Sequence, residues 1–295
     1  MGDVFIGSEA VASGLLTRHE LQRFHTRLLP DVYQPRGQPT SLRDRTLAAW
    51  LWSRRRAVIA GAAAAALHDA QWVNDDEPIE LVWDNGRPPA GLVVRNETLL
   101  GDEVTRIAGL PVTSLARTAF DLGRYLPRGR AIARLDALSR AIWFSNEDVL
   151  LLAKRHSGAR GVRRIRELLP LVDRGAASPK ETWLRLLLID AGFPIPTTQI
   201  PVQDTCGLIA MLDMGWEEFK VAAEYDGDVH RTDRRRYVWD QKRSRLVAGL
   251  GWKSVLVINE DNPKDIIARV HDALTSRGWR PEIETTQSST RTLSA

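Results

Sequence analysis

By type and spacing, Asp213, Glu224 and Asp226 are the residues best suited to do chemistry in this chain. The segments around them alternate like strands: Ile200 to Val202, Leu208 to Met214 and Lys220 to Asp226, joined by turns at Asp204 to Gly207 and Trp216 to Phe219. If the second turn has four residues, Asp213 sits opposite Ala222. It then shares a face with Glu224 and Asp226, and Glu224 is its diagonal neighbour. Like charges that close repel and raise one another's pKa, and a hard divalent cation relieves the repulsion. Mg²⁺ is the expected ion, with Mn²⁺ as its substitute. A register slip of one residue would instead part Asp213 from the other two and leave Asp213 and Asp226 as turn residues at strand ends. Glu224 favours the metal, because it lies inside its strand, where acidic residues are depleted.

Other polar groups stand near this face in sequence. Glu181 follows Ser178, Pro179 and Lys180, which marks the start of a helix with a capping box. It also lies in line with Leu184 and Leu188, on the stripe that should face a core, where a carboxylate needs a partner. His230, in the loop after Asp226, has the chemistry to coordinate a metal, shuttle a proton or hold a phosphate. Arg234 to Leu250 reads as a helix with Trp239, Leu246 and Leu250 as its apolar stripe, flanked by Lys242 and Arg243 pointing toward the sheet. Lys242 is placed for a scissile phosphate or an attacking water, although snorkelling at the stripe's edge explains it almost as well. From Asp228 to Arg245 there are six arginines and one lysine against three aspartates, a local excess that attracts phosphates.

These groups must be positioned by a helix, three antiparallel strands, a helix, an apolar central strand from Trp252 to Ile258 and a last helix capped by Asn262 and Pro263. Upstream, Thr17 and Glu20 form a capping box that opens a helix from Arg18 to Arg27, ended by Pro30. With a short helix before it and Asp31 to Gln34 extended after it, the order is that of a winged helix-turn-helix, with Arg18, Arg23 and Arg27 on a basic face. A generic helical hairpin accounts for the pattern equally well. Residues 41 to 69 read as helical throughout. Ile79 to Trp83, Leu92 to Arg95 and Val104 to Ile107 read as strands, Gly109 to Pro111 as a loop, and Ser114 to Leu171 as helical again.

The expected fold class is α/β (α+β overall). The expected boundaries are a winged-helix-like region at 1–75, a small sheet with helices at 76–172, a mixed sheet flanked by helices at 178–281 and a disordered tail at 282–295. The 295 residues carry 41 Lys and Arg against 37 Asp and Glu, a formal charge of +4, which permits nucleic-acid binding without requiring it. A single cysteine, Cys206, rules out an internal disulfide. The longest apolar run, Ala57 to Leu67, has 11 residues, short of the ~18 needed to span a bilayer, and no secretory pattern opens the chain. The cytoplasm is the expected compartment.

Glu181, then Asp213, then Glu224-Tyr225-Asp226-Gly227 with His230, then Asp240 and Arg243, and Gly251-Trp252 before an apolar strand, resemble the domain related to very-short-patch-repair endonucleases. That domain belongs to the PD-(D/E)XK nuclease superfamily, and the resemblance covers roughly residues 178 to 278. It implies a restriction-endonuclease-like core, Mg²⁺ held by Asp213 with Glu224 or Asp226, and Glu181 in support. The activity implied is hydrolysis of DNA phosphodiester bonds by metal-activated water. Arg231, Arg234, Arg235 and Arg243 would hold the DNA. The superfamily's usual lysine two residues after the third-strand acid is replaced here by Asp226, so the general base falls to His230, to Lys242 or to the metal alone. Residues 8 to 34, with Leu110 to Leu122 (LPVTSLARTAFDL), are similar to the N-terminal region of AbiEi-type antitoxins, a winged-helix repressor family. That second resemblance implies a transcription regulator, with a cognate toxin and a homodimer as expected partners besides DNA.

Overall fold

The structure, a computed structural model, describes residues 4–205, 207–227 and 234–281, with residues 234–238 and 240 described by backbone alone. The expected tail, 282–295, lies outside the described residues. The chain divides into two compact units, Met1–Thr182 and Trp183–Ala295, both of mixed α/β class as expected. Among the described residues no helix is long and apolar enough to cross a membrane.

The first unit begins with β1 (Phe5–Ile6), α1 (Gly7–Ala12), α2 (Arg18–Phe24), β2 (His25–Leu29) and β3 (Val32–Pro35). The Thr17–Glu20 capping box forms, yet the helix ends at Phe24 rather than Arg27. From His25 the chain turns extended and pairs with β3, giving a sheet in the order β1-β3-β2. Long-range backbone pairing outcompetes the last helical turn, and Arg27 sits on a strand. Asp31, at the hairpin tip with φ 62°, accepts from the Ser8 backbone N–H at 2.9 Å, the Ser8 hydroxyl at 2.6 Å and Arg54 at 2.8 Å. The tip is therefore tied back to the start of α1 instead of projecting as a free wing.

The helical reading of 41–69 needs correction. After α3 (Leu42–Trp52), Arg54 and Arg55 take φ of 56° and 63°, and Val58–Ala60 form β4 before α4 (Gly61–Leu67). β-branched Val58 and Ile59 suit a strand, and β4 lies between two neighbours that satisfy its backbone. With β5 (Ile79–Val82), β6 (Leu92–Arg95), β7 (Val104–Ile107) and β8 (Leu110–Thr113) it forms a sheet ordered β6-β5-β4-β8-β7. The expected loop at 109–111 is thus largely strand, with the turn at Ala108 and Gly109. The helices α5 (Leu115–Tyr125), α6 (Arg128–Ala141), α7 (Asn146–Arg155) and α8 (Val162–Leu168) close the unit around Phe120, Leu135, Leu138 and Ile165.

The second unit takes the later part of α9 (Pro179–Asp190), then β9 (Thr197–Asp204), β10 (Gly207–Trp216), β11 (Val221–Tyr225), α10 (Arg234–Gly249), β12 (Lys253–Val257) and α11 (Pro263–Thr275). This is the expected element order. The sheet runs β12-β11-β10-β9, with β12 parallel to β11, so β12 is an edge strand and not the central one. Its apolar residues serve one face: Val255 and Val257 join Leu184, Leu188, Met214 and Val270 in a core, while Leu256 is half exposed. Ile200, Val202, Leu212 and Ala222 form a second core with Val247 of α10. Of the expected stripe of α10 only Leu250 packs on this core, beside the buried Val247, whereas Trp239 and Leu246 are exposed.

Gly161, with φ 83°, packs so close to α5 that an added Cβ would lie 2.2 Å from the Arg124 carbonyl oxygen. Gly161→Ala is expected to lower stability by at least ~1 kcal/mol, since both the backbone conformation and the space exclude a side chain. Urea unfolding checks this, and an unchanged midpoint would contradict the packing described.

Candidate functional site

The β10–β11 hairpin pairs Met214 with Ala223, Gly215 with Ala222 and Trp216 with Val221. Gly215, not Asp213, therefore faces Ala222, and the ladder ends at the Met214–Ala223 pair, before it reaches Asp213. The connecting turn still has four residues but starts at Glu217, one position later than expected. Shifting a turn by one moves the register by two, which changes partners and preserves the face. Gly215 is needed at this crossing, as a Cβ there would lie 2.4 Å from the Val221 carbonyl oxygen.

The three carboxylates do not gather as expected. Asp213 Oδ2 accepts from the Tyr225 backbone N–H at 2.7 Å. Glu224 is buried, and its Oε2 accepts from Arg243 Nη2 at 2.9 Å; the same nitrogen donates to the Met211 carbonyl at 2.9 Å. Asp226 lies past the strand end, exposed, with its backbone N–H donating to the Val257 carbonyl. Among the described residues no three His, Cys, Asp or Glu side chains come close enough to hold an ion. A guanidinium supplies the countercharge that burial of Glu224 demands, so the described residues do not fit a three-carboxylate Mg²⁺ site.

Glu181 belongs to the first unit, where its Oε2 accepts from the Ala177 backbone N–H and its own N–H donates to the Ser178 hydroxyl. This is the capping role legible in the sequence. Lys242 is exposed, and Arg243 alone of that pair reaches the sheet. His230, Arg231 and the side chains of Arg234 and Arg235 lie outside the described residues. In the first unit Arg18 and Arg23 are exposed on α2, and Arg27 is exposed on β2.

A second cluster went unread in the sequence. Arg117, buried in α5, bonds Glu97, Glu103 and Asp121, and Arg124 bonds Glu97 and Asp121. Tyr125 donates its hydroxyl to Glu97, His156 contacts Glu103 at 2.8 Å, and the Arg95 guanidinium lies 3.4 Å from the Tyr125 ring centre. The available signal was the spacing of Arg117, Asp121 and Arg124, charged groups one helical turn apart in an otherwise apolar helix. Burial pushes Glu97 and Glu103 upward, but hydrogen bonds to Tyr125 and Arg124, and to His156 and Arg117, outweigh it and hold both below the usual carboxylate range. Burial prevails at Asp121, which is raised despite its two arginines. Burial and the bond to Glu97 push Tyr125 up to about 12.

The profile of the AbiEi antitoxin C-terminal domain matches residues 53–171, the stretch from the end of α3 through the turn that follows α8. Two uncharacterized proteins of Mycobacterium tuberculosis, from strains CDC 1551 / Oshkosh and ATCC 25618 / H37Rv, are each 32% identical over 187 residues, covering 62% of this chain and 68% of the relative. The chain belongs to the same family as these two proteins. Its first unit carries an AbiEi antitoxin-family domain. The match supports the AbiEi-like part of the sequence resemblance: it includes Leu110 to Leu122, begins after residues 8 to 34, and is to the antitoxin's C-terminal domain. The antitoxin-family domain contains the whole Arg117 network and ends before the second unit. No solved structure matches the chain.

Two outcomes follow. Arg243→Ala leaves the Glu224 carboxylate buried without its countercharge; with the Arg243 side chain 22% exposed, a loss of about 1–3 kcal/mol is expected, less than for a fully buried pair. A double-mutant cycle with Glu224→Gln isolates the pair, and a coupling of zero would dismiss it. Glu97 and Glu103 have folded pKa values below the unfolded value near ~4.3, so their stabilisation is complete above that pH and is lost as pH falls through the folded values. Asp121, raised, acts in the opposite sense. Urea midpoints are expected to fall as pH drops below about 4.3, and a flat profile would contradict the network.

Proposed function

We propose that the chain is a DNA-binding regulator of the antitoxin type, with a second unit that keeps a nuclease-like sheet as a non-catalytic platform. The observation that carries this reading is the AbiEi antitoxin-family domain at 53–171. The Glu224–Arg243 pair supports it, since a guanidinium stands where a cation would have to bind. DNA affinity is assigned to the exposed cations of the first unit, Arg18 and Arg23 on α2 and Arg27 beside it. Each bond to a phosphate displaces condensed counterions, and binding falls steeply with salt. A toxin neutralised by this protein, and self-association, are the partners the reading adds.

One observation favours the competing reading of a Mg²⁺-dependent endonuclease: Asp213 and Glu224 lie on neighbouring strands, just past the end of the ladder that joins them. That reading requires Arg243 to leave Glu224 and a third ligand to arrive. Supercoiled plasmid incubated with the chain in Mg²⁺ or in EDTA separates the two. Retention in a gel without metal-dependent nicking is the expected result, whereas nicking lost in Asp213→Ala would establish the nuclease. For duplex DNA, removing Arg18 and Arg23 together is expected to weaken binding evenly across sequences and to reduce the salt slope by about 1 for each phosphate no longer neutralised.

A further inference from the structure

The second unit leaves an apolar groove open where α10 passes the start of β10. Leu208 of the strand is 60% exposed, and Trp239 and Leu246 of the helix are 58% and 53% exposed. With Gly207, Ile209 and Arg243 they line a cavity of about 270 Å³. Trp239 and Leu246 lie two helical turns apart on one face, with Arg243 between them. They are not part of the core beneath, because α10 is anchored there by Val247. Trp239 is thus open to solvent over more than half of its surface.

The surroundings select the occupant. The α10 sequence holds Arg234, Arg235, Arg236, Lys242, Arg243 and Arg245 against the one acid Asp240, and Lys242 and Arg245 are exposed. The acid in the groove lining, Asp204, accepts from the Gly207 backbone N–H at 3.1 Å and so closes the β9–β10 turn. Pairing this face with a second copy of itself would set two strongly cationic helices against each other, which is unfavourable. A polyanion that also offers flat apolar faces meets both features. Duplex DNA keeps its base faces inside the stack, whereas a single strand exposes them to an aromatic platform with cations along its backbone.

We propose that this groove binds single-stranded nucleic acid, one base stacking on Trp239 between Leu208 and Leu246 while Lys242 and Arg245 meet the flanking phosphates. The site goes beyond the regulator reading, which places duplex binding in the first unit, and it requires no cleavage.

The test uses the full chain in EDTA, with fluorescent oligo-dT and oligo-U of about 12 nucleotides, within the ~4–16 such sites take. Comparing the two oligomers shows whether DNA or RNA is preferred. Trp239→Ala is expected to weaken binding roughly 5- to 150-fold, the equivalent of one stacked base, while Trp239→Phe retains most of it. Trp239 is exposed, so neither change should disturb folding, which a urea midpoint verifies; Leu208→Ala gives an independent second variant. Oligomer binding equal to the parent in Trp239→Ala overturns the proposal. So does absence of oligomer binding by the parent, and a dimer that Trp239→Ala dissociates in sedimentation then assigns the face to self-association. A parent that binds oligomer through Trp239 but fails on duplex sustains this site and removes the regulator reading.

Discussion

A carboxylate placed inside a strand and shielded from water has to be neutralised, and the second unit does this at Glu224 with the guanidinium of Arg243, nineteen residues further along the chain. The same nitrogen also serves the Met211 carbonyl, so one side chain ties α10 to both strands of the hairpin. With Arg243 in place, Glu224 and the Met211 carbonyl are joined through one guanidinium. With a metal ion in its place, Asp213 and Glu224 would be the start of a hydrolytic site. Neighbouring groups reinforce the joint, because Asp213 satisfies the Tyr225 N–H just where the ladder between the strands ends.

The antitoxin-family domain solves the same electrostatic problem on a larger scale. Arg117 and Arg124 share Glu97, Glu103 and Asp121, so each of these five charges has an opposite neighbour, and Tyr125 and His156 take up further acceptor sites. Such networks stabilise little relative to an apolar core of equal volume, but losing one member is costly because the rest remain buried. The network joins α5 to the segments that flank β6 and β7 and to α7, and so fixes how the helical layer meets the sheet.

Much of the second unit was legible because its signals are local. Alternating apolar residues marked three strands, and Asn262-Pro263 marked the start of the last helix, each within a few residues of its place. The first unit was harder. Ala-rich residues 57 to 67 satisfy a helical pattern, yet three of them are claimed by β4 because β5 and β8 offer backbone partners on both sides. The end of α2 gave way to β2 for the same reason. The exposed Trp239 was assigned to the core by its spacing, and only the docking of α10 through Val247 shows that the face is turned outward.

Composition, caps, turns and apolar periodicity thus settled the class of the fold and the order of the second unit's elements, since each depends on neighbours a few bonds away. The partner of each charge did not follow from them. Whether Glu224 meets a cation or Arg243, and whether Arg117 is solvated or buried among three acids, depends on which distant segments fold against it and how much water they exclude. That exclusion belongs to the packed chain alone.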